Sequence, residues 1–234
     1  MNARMVTSQA GWELKTILRN GEQLLLSFIL PVLALIALVT LEVADLPSRS
    51  DAVAGTIGMA LTASAFTGQA IQLAFDRRYG VLRMLSTTPL GGRGLLLGKA
   101  GAVAAVVVIQ VVVLLVAGFI LGWKGTGIAG FGALAVFVVL GTVAFVGLAV
   151  LLGGTMRAQA IIAIANLLWI LMFAAGGALF PLAEGSWLGW LPPGALGNGL
   201  RAALAGSFDV VSALVLAAWG AVLGILAARA MRWD

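Results

Sequence analysis

Four long stretches of this chain, residues 100–121, 128–152, 160–180 and 210–228, contain no charged side chain at all. About 20 apolar residues in a helix cross the roughly 30 Å hydrocarbon core of a bilayer. Four such runs in 234 residues are compatible with lipid as the main solvent and with little else. Composition agrees, with 62% hydrophobic and 10% charged residues, against about 25% charged in globular domains. Lipid offers no hydrogen bonds to the backbone, so runs of this kind are expected to be helices that satisfy their own amides.

Two weaker runs complete the series. Leu24 to Ala44 carries Pro31 near its start, where a kink is expected. It is longer than the apolar core of a signal peptide and lacks a small-residue cleavage site, so it reads as a retained span. Ala52 to Phe75 is rich in Gly, Ala, Ser and Thr and carries Gln69 and Gln72. Small residues permit close helix approach and glutamines can bond across helices, so this span is expected to face protein. The remaining spans are Ala100 to Leu121, Ile128 to Leu152, Ala160 to Phe180 and Val210 to Ala228. Residues 1–23 are too polar to cross, but Ala10, Leu14, Ile17, Leu18 and Gly21 recur at helical spacing, with Glu13, Lys15, Thr16, Arg19 and Asn20 on the remaining arc. That pattern predicts an amphipathic helix in the interface, with Trp12 off the stripe. Residues 181–209 hold Pro181, Pro192, Pro193, Trp187 and Trp190, a composition suited to a broken segment at headgroup depth. The expected fold is thus one all-α polytopic membrane domain over residues 1–234, with six transmembrane helices and no room for a soluble catalytic domain.

Charge fixes the expected orientation. With the N-terminus inside, Arg4, Lys15, Arg19, Arg77, Arg78, Arg83, Arg93, Lys99, Arg157, Arg229 and Arg232 lie in the cytoplasm, and only Arg49, Lys124 and Arg201 outside. Both termini are then cytoplasmic, and the broken segment lies outside with Glu42, Asp45, Asp51, Glu184 and Asp209. The +5 net charge needs no nucleic acid to explain it, because its clustering beside apolar spans is topological.

The densest cluster is Asp76 to Lys99, DRRYGVLRMLSTTPLGGRGLLLGK, expected to be aqueous. Its tail resembles a phosphate-binding loop only superficially: Arg93 stands at the first glycine position and Ala100 follows Lys99, so neither the tight turn nor the magnesium hydroxyl is available. The chain contains no histidine or cysteine, which removes imidazole and thiol chemistry, and no pair of carboxylates can be placed together within the membrane. An enzyme is therefore not expected, nor a secondary transporter with buried acids. Phe75, Tyr79 and Leu82 are expected to share one helical face, with Thr88-Pro89 as a stop, a shape for docking in a partner's groove.

The run Asp76-Arg77-Arg78-x-Gly80, Leu82, Leu85, Thr88-Pro89-Leu90 and Gly98-Lys99 resembles the signature between the second and third spans of ABC-2 type transporter permeases, the membrane subunits of ABC exporters. Val81 stands where that family most often has threonine. The likeness extends over nearly the whole chain, and Leu191-Pro192-Pro193 and Leu200-Arg201 match the usual positions of a re-entrant helical pair before the last span. The resemblance implies a coupling helix from Asp76 to Leu90 that contacts a separate nucleotide-binding subunit, with Asp76, Arg77, Arg78, Tyr79, Leu82, Arg83, Thr88 and Pro89 as the contact set. It also implies a working unit of two permeases, identical or not, and two ATPases, so that ATP and Mg are held by the partner and no cofactor by this chain. Expected partners are that ATPase, a second permease and membrane lipid, in the plasma membrane. The expected activity is export of a lipophilic, drug-like, lipid or glycan substrate; the alternative is a non-transporting scaffold that recruits an ATPase. Gln69, Gln72 and Asn166, with Gln110, Thr62, Ser64 and Thr67, are polar residues at membrane depth, either interhelical hydrogen-bond partners or, for the first three, contacts along a substrate path. The GxxxG pairs Gly118/Gly122 and Gly220/Gly224 are expected by chance among 31 glycines.

Overall fold

The computed structural model describes residues 3–41, 48–86 and 91–230, and every regular element among them is helical. Helix α1 is Ala3–Arg19. Helix α2, residues 21–40, passes from Gly21–Leu24 through one π turn, Leu25–Ile29, into Leu30–Thr40. Helix α3, residues 49–78, likewise runs from Arg49–Thr62 through a π turn, Ala63–Gly68, into Gln69–Arg78. There follow α4 (Val81–Ser86), α5 (Gly91–Ile120), α6 (Ile128–Thr155), α7 (Ala158–Ala174), a one-turn 3-10 helix (Trp187–Trp190), α8 (Pro192–Leu204) and α9 (Val210–Ala230). Glu42, Asp45, Pro47, Thr88, Pro89, Arg232 and Asp234 lie outside the described residues.

Three helical stretches, Leu97–Ile120, Ile128–Thr155 and Val210–Ala230, are long and apolar enough to cross a membrane, and Ser27–Thr40 and Ala158–Ala174 are shorter apolar helices. The small-residue run in α3 makes this the central helix: every residue from 52 to 67 is buried. It packs against α6 and α8, around Phe66, Phe137, Phe145 and Leu196. Close approach at the far end depends on missing side chains. A Cβ on Gly55 would collide with the Leu179 carbonyl oxygen, and one on Gly58 would lie 2.7 Å from that of Ala178. Of the GxxxG pairs, Gly224 faces open space and Gly122 sits in a left-handed turn at φ +86°, so neither pair acts as a helix–helix seam within the chain.

The kink expected at Pro31 takes the form of the π turn just before it. Proline cannot donate to the carbonyl four residues back, here that of Ser27, and Gln110 on α5 supplies the bond instead at 2.7 Å. The same amide donates to Ser64 Oγ at 2.6 Å, tying the two π turns to α5.

Several boundaries differ from the sequence reading. The stretch Asp76 to Lys99 is not one aqueous loop: Asp76–Arg78 still belong to α3 and 91–99 are the first turns of α5, with Lys99 buried. Helix α7 stops at Ala174, not Phe180, because Gly177 turns the backbone to φ +86°. After it comes a single 13-residue helix, α8, where a helical pair was expected, entered through Pro192 and Pro193 in its first turn and largely buried. Trp187 and Trp190, just before it, are exposed. Glu13, assigned to the polar arc of α1, is instead buried, and α1 packs along α5 through Leu14, Ile17, Ala102 and Val106. Gly98 admits this contact, since a Cβ there would meet the Gln9 side chain at 2.6 Å.

Candidate functional site

The basic end of the bundle gathers residues distant in sequence. Lys99 Nζ lies 2.9 Å from Glu13 Oε1 and 2.7 Å from Asp76 Oδ2, so one ammonium on α5 joins carboxylates from α1 and α3. Gln9 Nε2 donates to Glu13 Oε1 at 3.1 Å and Gln72 Nε2 to Glu13 Oε2 at 2.8 Å, so the acid is held from three elements. Removing ions from water costs several kcal/mol each, which only close pairing and full hydrogen bonding offset. The arrangement explains why a lysine within a basic stretch is buried: its charge is matched internally. Burial raises the Asp76 carboxyl above its ordinary value of 3.8, against the Lys99 ammonium and its hydrogen bond, which lower it, while nearby Glu13 raises it further.

Arg77, next along α3, turns to the end of α6, donating to the Gly154 carbonyl and, at 2.6 Å, to that of Met156. Terminal carbonyls of a helix lack intrahelical donors and carry partial negative charge, so a guanidinium there is both cap and counter-charge. Arg78 and Tyr79 then emerge into the open, the guanidinium carbon 6.0 Å from the ring centroid, and Tyr79 is 70% exposed. Its ring also approaches Phe75 at 5.9 Å.

The chain reverses at Gly80, φ +71°, a conformation that disfavours any residue with a Cβ. This break corrects the expectation that Phe75, Tyr79 and Leu82 share a continuous helical face. Leu82, on α4 beyond the turn, is buried against Leu73 and Leu95 and anchors α4 to the bundle. Met84 on the same short helix is exposed. The outward surface of this corner is therefore Arg78, Tyr79, Gly80 and Met84, whereas Asp76, Arg77 and Leu82 face inward. Arg83 rides on α4 with its side chain outside the described ones, as Thr88 and Pro89 lie beyond them entirely.

A cavity of about 440 Å³ opens beside the ion cluster, among α1, the two π turns and α7. Gln72 and Asn166, singled out from sequence, line it together with Thr16, Ser27, Thr67 and Trp169; Gln69 is buried but is not among the lining residues. Sequence reasoning missed Glu13, Lys99 as a buried ion, and Met84. The signal available for the first was its spacing, three residues after Ala10 and four before Ile17, which puts this member of the polar arc beside the apolar stripe.

Residues 10–203 match the protein family described as ABC-2 type transporter. No curated protein matches the chain.

Proposed function

The chain belongs to the ABC-2 type transporter family, the membrane permease component of ABC transporters, and from that membership we propose that it forms the export pathway for an amphipathic substrate while a separate nucleotide-binding subunit hydrolyses ATP. The observation that carries this reading is the corner at Arg78, Tyr79, Gly80 and Met84: an exposed turn whose inner residues are bonded directly to α5 and to the end of α6, and through Lys99 to Glu13 on α1. A push on such a turn is transmitted to α1 through Glu13 and to α6 through Arg77, instead of being absorbed by a loose loop. Free energy enters only as the partner's different affinity for two permease conformations.

In this reading the six crossings are α2, residues 52–75 of α3, residues 100–120 of α5, α6, α7 and α9, with Asp76 and Lys99 beyond the spans at the cytoplasmic end. Helix α7, at 17 residues about 25 Å long, is the short one, and the stretch after Ala174 completes its passage. Both termini and the Arg78–Met84 corner face the cytoplasm of a cell whose plasma membrane the chain spans, by the distribution of Lys and Arg. A second permease, identical or not, faces the bundle, in an assembly with two ATPases.

The test is Arg78→Glu with Tyr79→Glu, co-reconstituted with the partner ATPase. Both side chains are exposed, so insertion and thermal stability should be unchanged, while transport falls at least about tenfold, the effect of roughly 1.4 kcal/mol lost from coupling. Undiminished transport would remove the docking assignment. Leu82 is unsuitable for this purpose, because a charge there would break the packing beneath the turn.

A further inference from the structure

Helix α1 turns its apolar stripe inward and leaves a different face open. Leu14 and Ile17 pack on Ala102 and Val106 of α5, and Ala10 lies against Gly101. The helix has a single acid, Glu13, which is buried on that same side against Lys99. At 3.6 residues per turn, Arg4, Met5, Ser8, Trp12, Lys15 and Arg19 fall within an arc of about 100° on the opposite side. Each of them is exposed. The outward face of α1 therefore carries three cations, a tryptophan and a methionine, with its one negative charge withdrawn into the bundle.

The buried side fixes the depth of the exposed one. Glu13 lies 2.9 Å from Lys99, which stands where the apolar run of α5 begins. Trp12, its neighbour, is thus level with the boundary between hydrocarbon and water at the basic end of the bundle. Tryptophan is enriched at that boundary, with its ring against acyl carbons and its N–H toward water. The ring is 63% exposed, so the chain itself does not cover it. Arginine and lysine pair with phosphate oxygens, and guanidinium does so through two parallel bonds. A zwitterionic lipid would satisfy the apolar part of this face and leave its charge unmatched; an anionic phospholipid matches both.

We propose that the outer face of α1 binds anionic phospholipid in the leaflet at the basic end, with Arg4, Lys15 and Arg19 on the headgroups and Trp12 and Met5 in the upper acyl region. The helix is then held from two sides, by Glu13 on Lys99 within the bundle and by lipid charge outside it. Leaflet composition thereby bears on the ion cluster that joins α1 to Asp76. This binding needs neither an ATPase nor ATP, and it stands or falls apart from the docking corner.

The experiment uses the full chain in phosphatidylcholine nanodiscs with a minority of phosphatidylglycerol, one lipid or the other carrying bromine near the glycerol end of its acyl chains. Quenching of the Trp12 signal, taken as the fluorescence lost in Trp12→Phe, reports which lipid lies beside that ring. Phosphatidylglycerol should be enriched there about fivefold over its bulk share, equivalent to about 1 kcal/mol for one basic contact, and less so in high salt. Arg4→Gln with Lys15→Gln and Arg19→Gln should return it to the bulk share, while Lys15→Arg with Arg19→Lys should keep the enrichment. Lys124→Gln with Arg229→Gln, which removes exposed cations elsewhere, should also keep it. A bulk share of phosphatidylglycerol on the unmutated chain overturns the inference, as does full enrichment in the chain lacking all three cations. A Trp12 that neither brominated lipid quenches overturns it too: quenching by acrylamide would then put the ring in water, and protection from acrylamide would put a second copy of the chain on this face.

Discussion

Replacing Lys99 by Met tests whether the buried ion cluster holds α1 to the bundle. Carboxylates sharing one ammonium at 2.9 and 2.7 Å can be no more than about 5.6 Å apart, the sum of the two contacts. At an effective dielectric constant of about 20, each pairing with Lys99 is worth about 6 kcal/mol and the carboxylates repel by at least about 3 kcal/mol. Desolvating three ions consumes several kcal/mol apiece, so the intact cluster adds little net stability. Without the ammonium the repulsion and the desolvation remain and the attraction is gone, which is why truncating one member of a buried pair costs about 3–5 kcal/mol. Lys99→Met should therefore lose about that much at neutral pH in thermal unfolding of the reconstituted chain, with faster amide exchange across α1.

The pH dependence gives the sharper reading. In the native chain the raised Asp76 value means that its contribution is complete below the ordinary aspartate value and lost as pH rises through the folded one. Lys99→Met removes the ammonium that lowers the Asp76 carboxyl, so its deficit should shrink on acidification, and Asp76→Asn in that background should recover part of the loss. A Lys99→Met chain within about 1 kcal/mol of the parent at neutral pH, or a deficit independent of pH, would refute the reasoning.

Substitutions at three other positions separate packing from capping. Arg77→Met leaves the Gly154 and Met156 carbonyls without their donor and should cost about 1–3 kcal/mol in the same thermal assay. Arg77→Lys should restore only part, because an ammonium lacks the planar fork. Gly55→Ala drives a methyl into the Leu179 carbonyl and should lose about 1–3 kcal/mol, whereas Gly224→Ala meets nothing within 4 Å and should gain up to about 1 kcal/mol from helix propensity. A marked loss at Gly224 would instead reveal a second chain packed on that face.

The amino-acid sequence alone determined immersion in lipid, the helical class and the family, because hydropathy over a 20-residue window and a short signature are local properties. It also marked α3 as the protein-facing helix, since its small residues could not compete for lipid contact with the valine- and leucine-rich runs of α5 and α6. It could not pair Glu13 with Lys99 and Asp76, separated by tens of residues, or show that Gln110 serves the carbonyl that Pro31 leaves free. Nor could it divide Asp76 to Leu82 into inward and outward members, because the helix that would have aligned them ends at Gly80. Those outcomes depend on which surfaces meet after the helices pack, and a buried charge or an orphaned acceptor has meaning only once its neighbours across the bundle are in place.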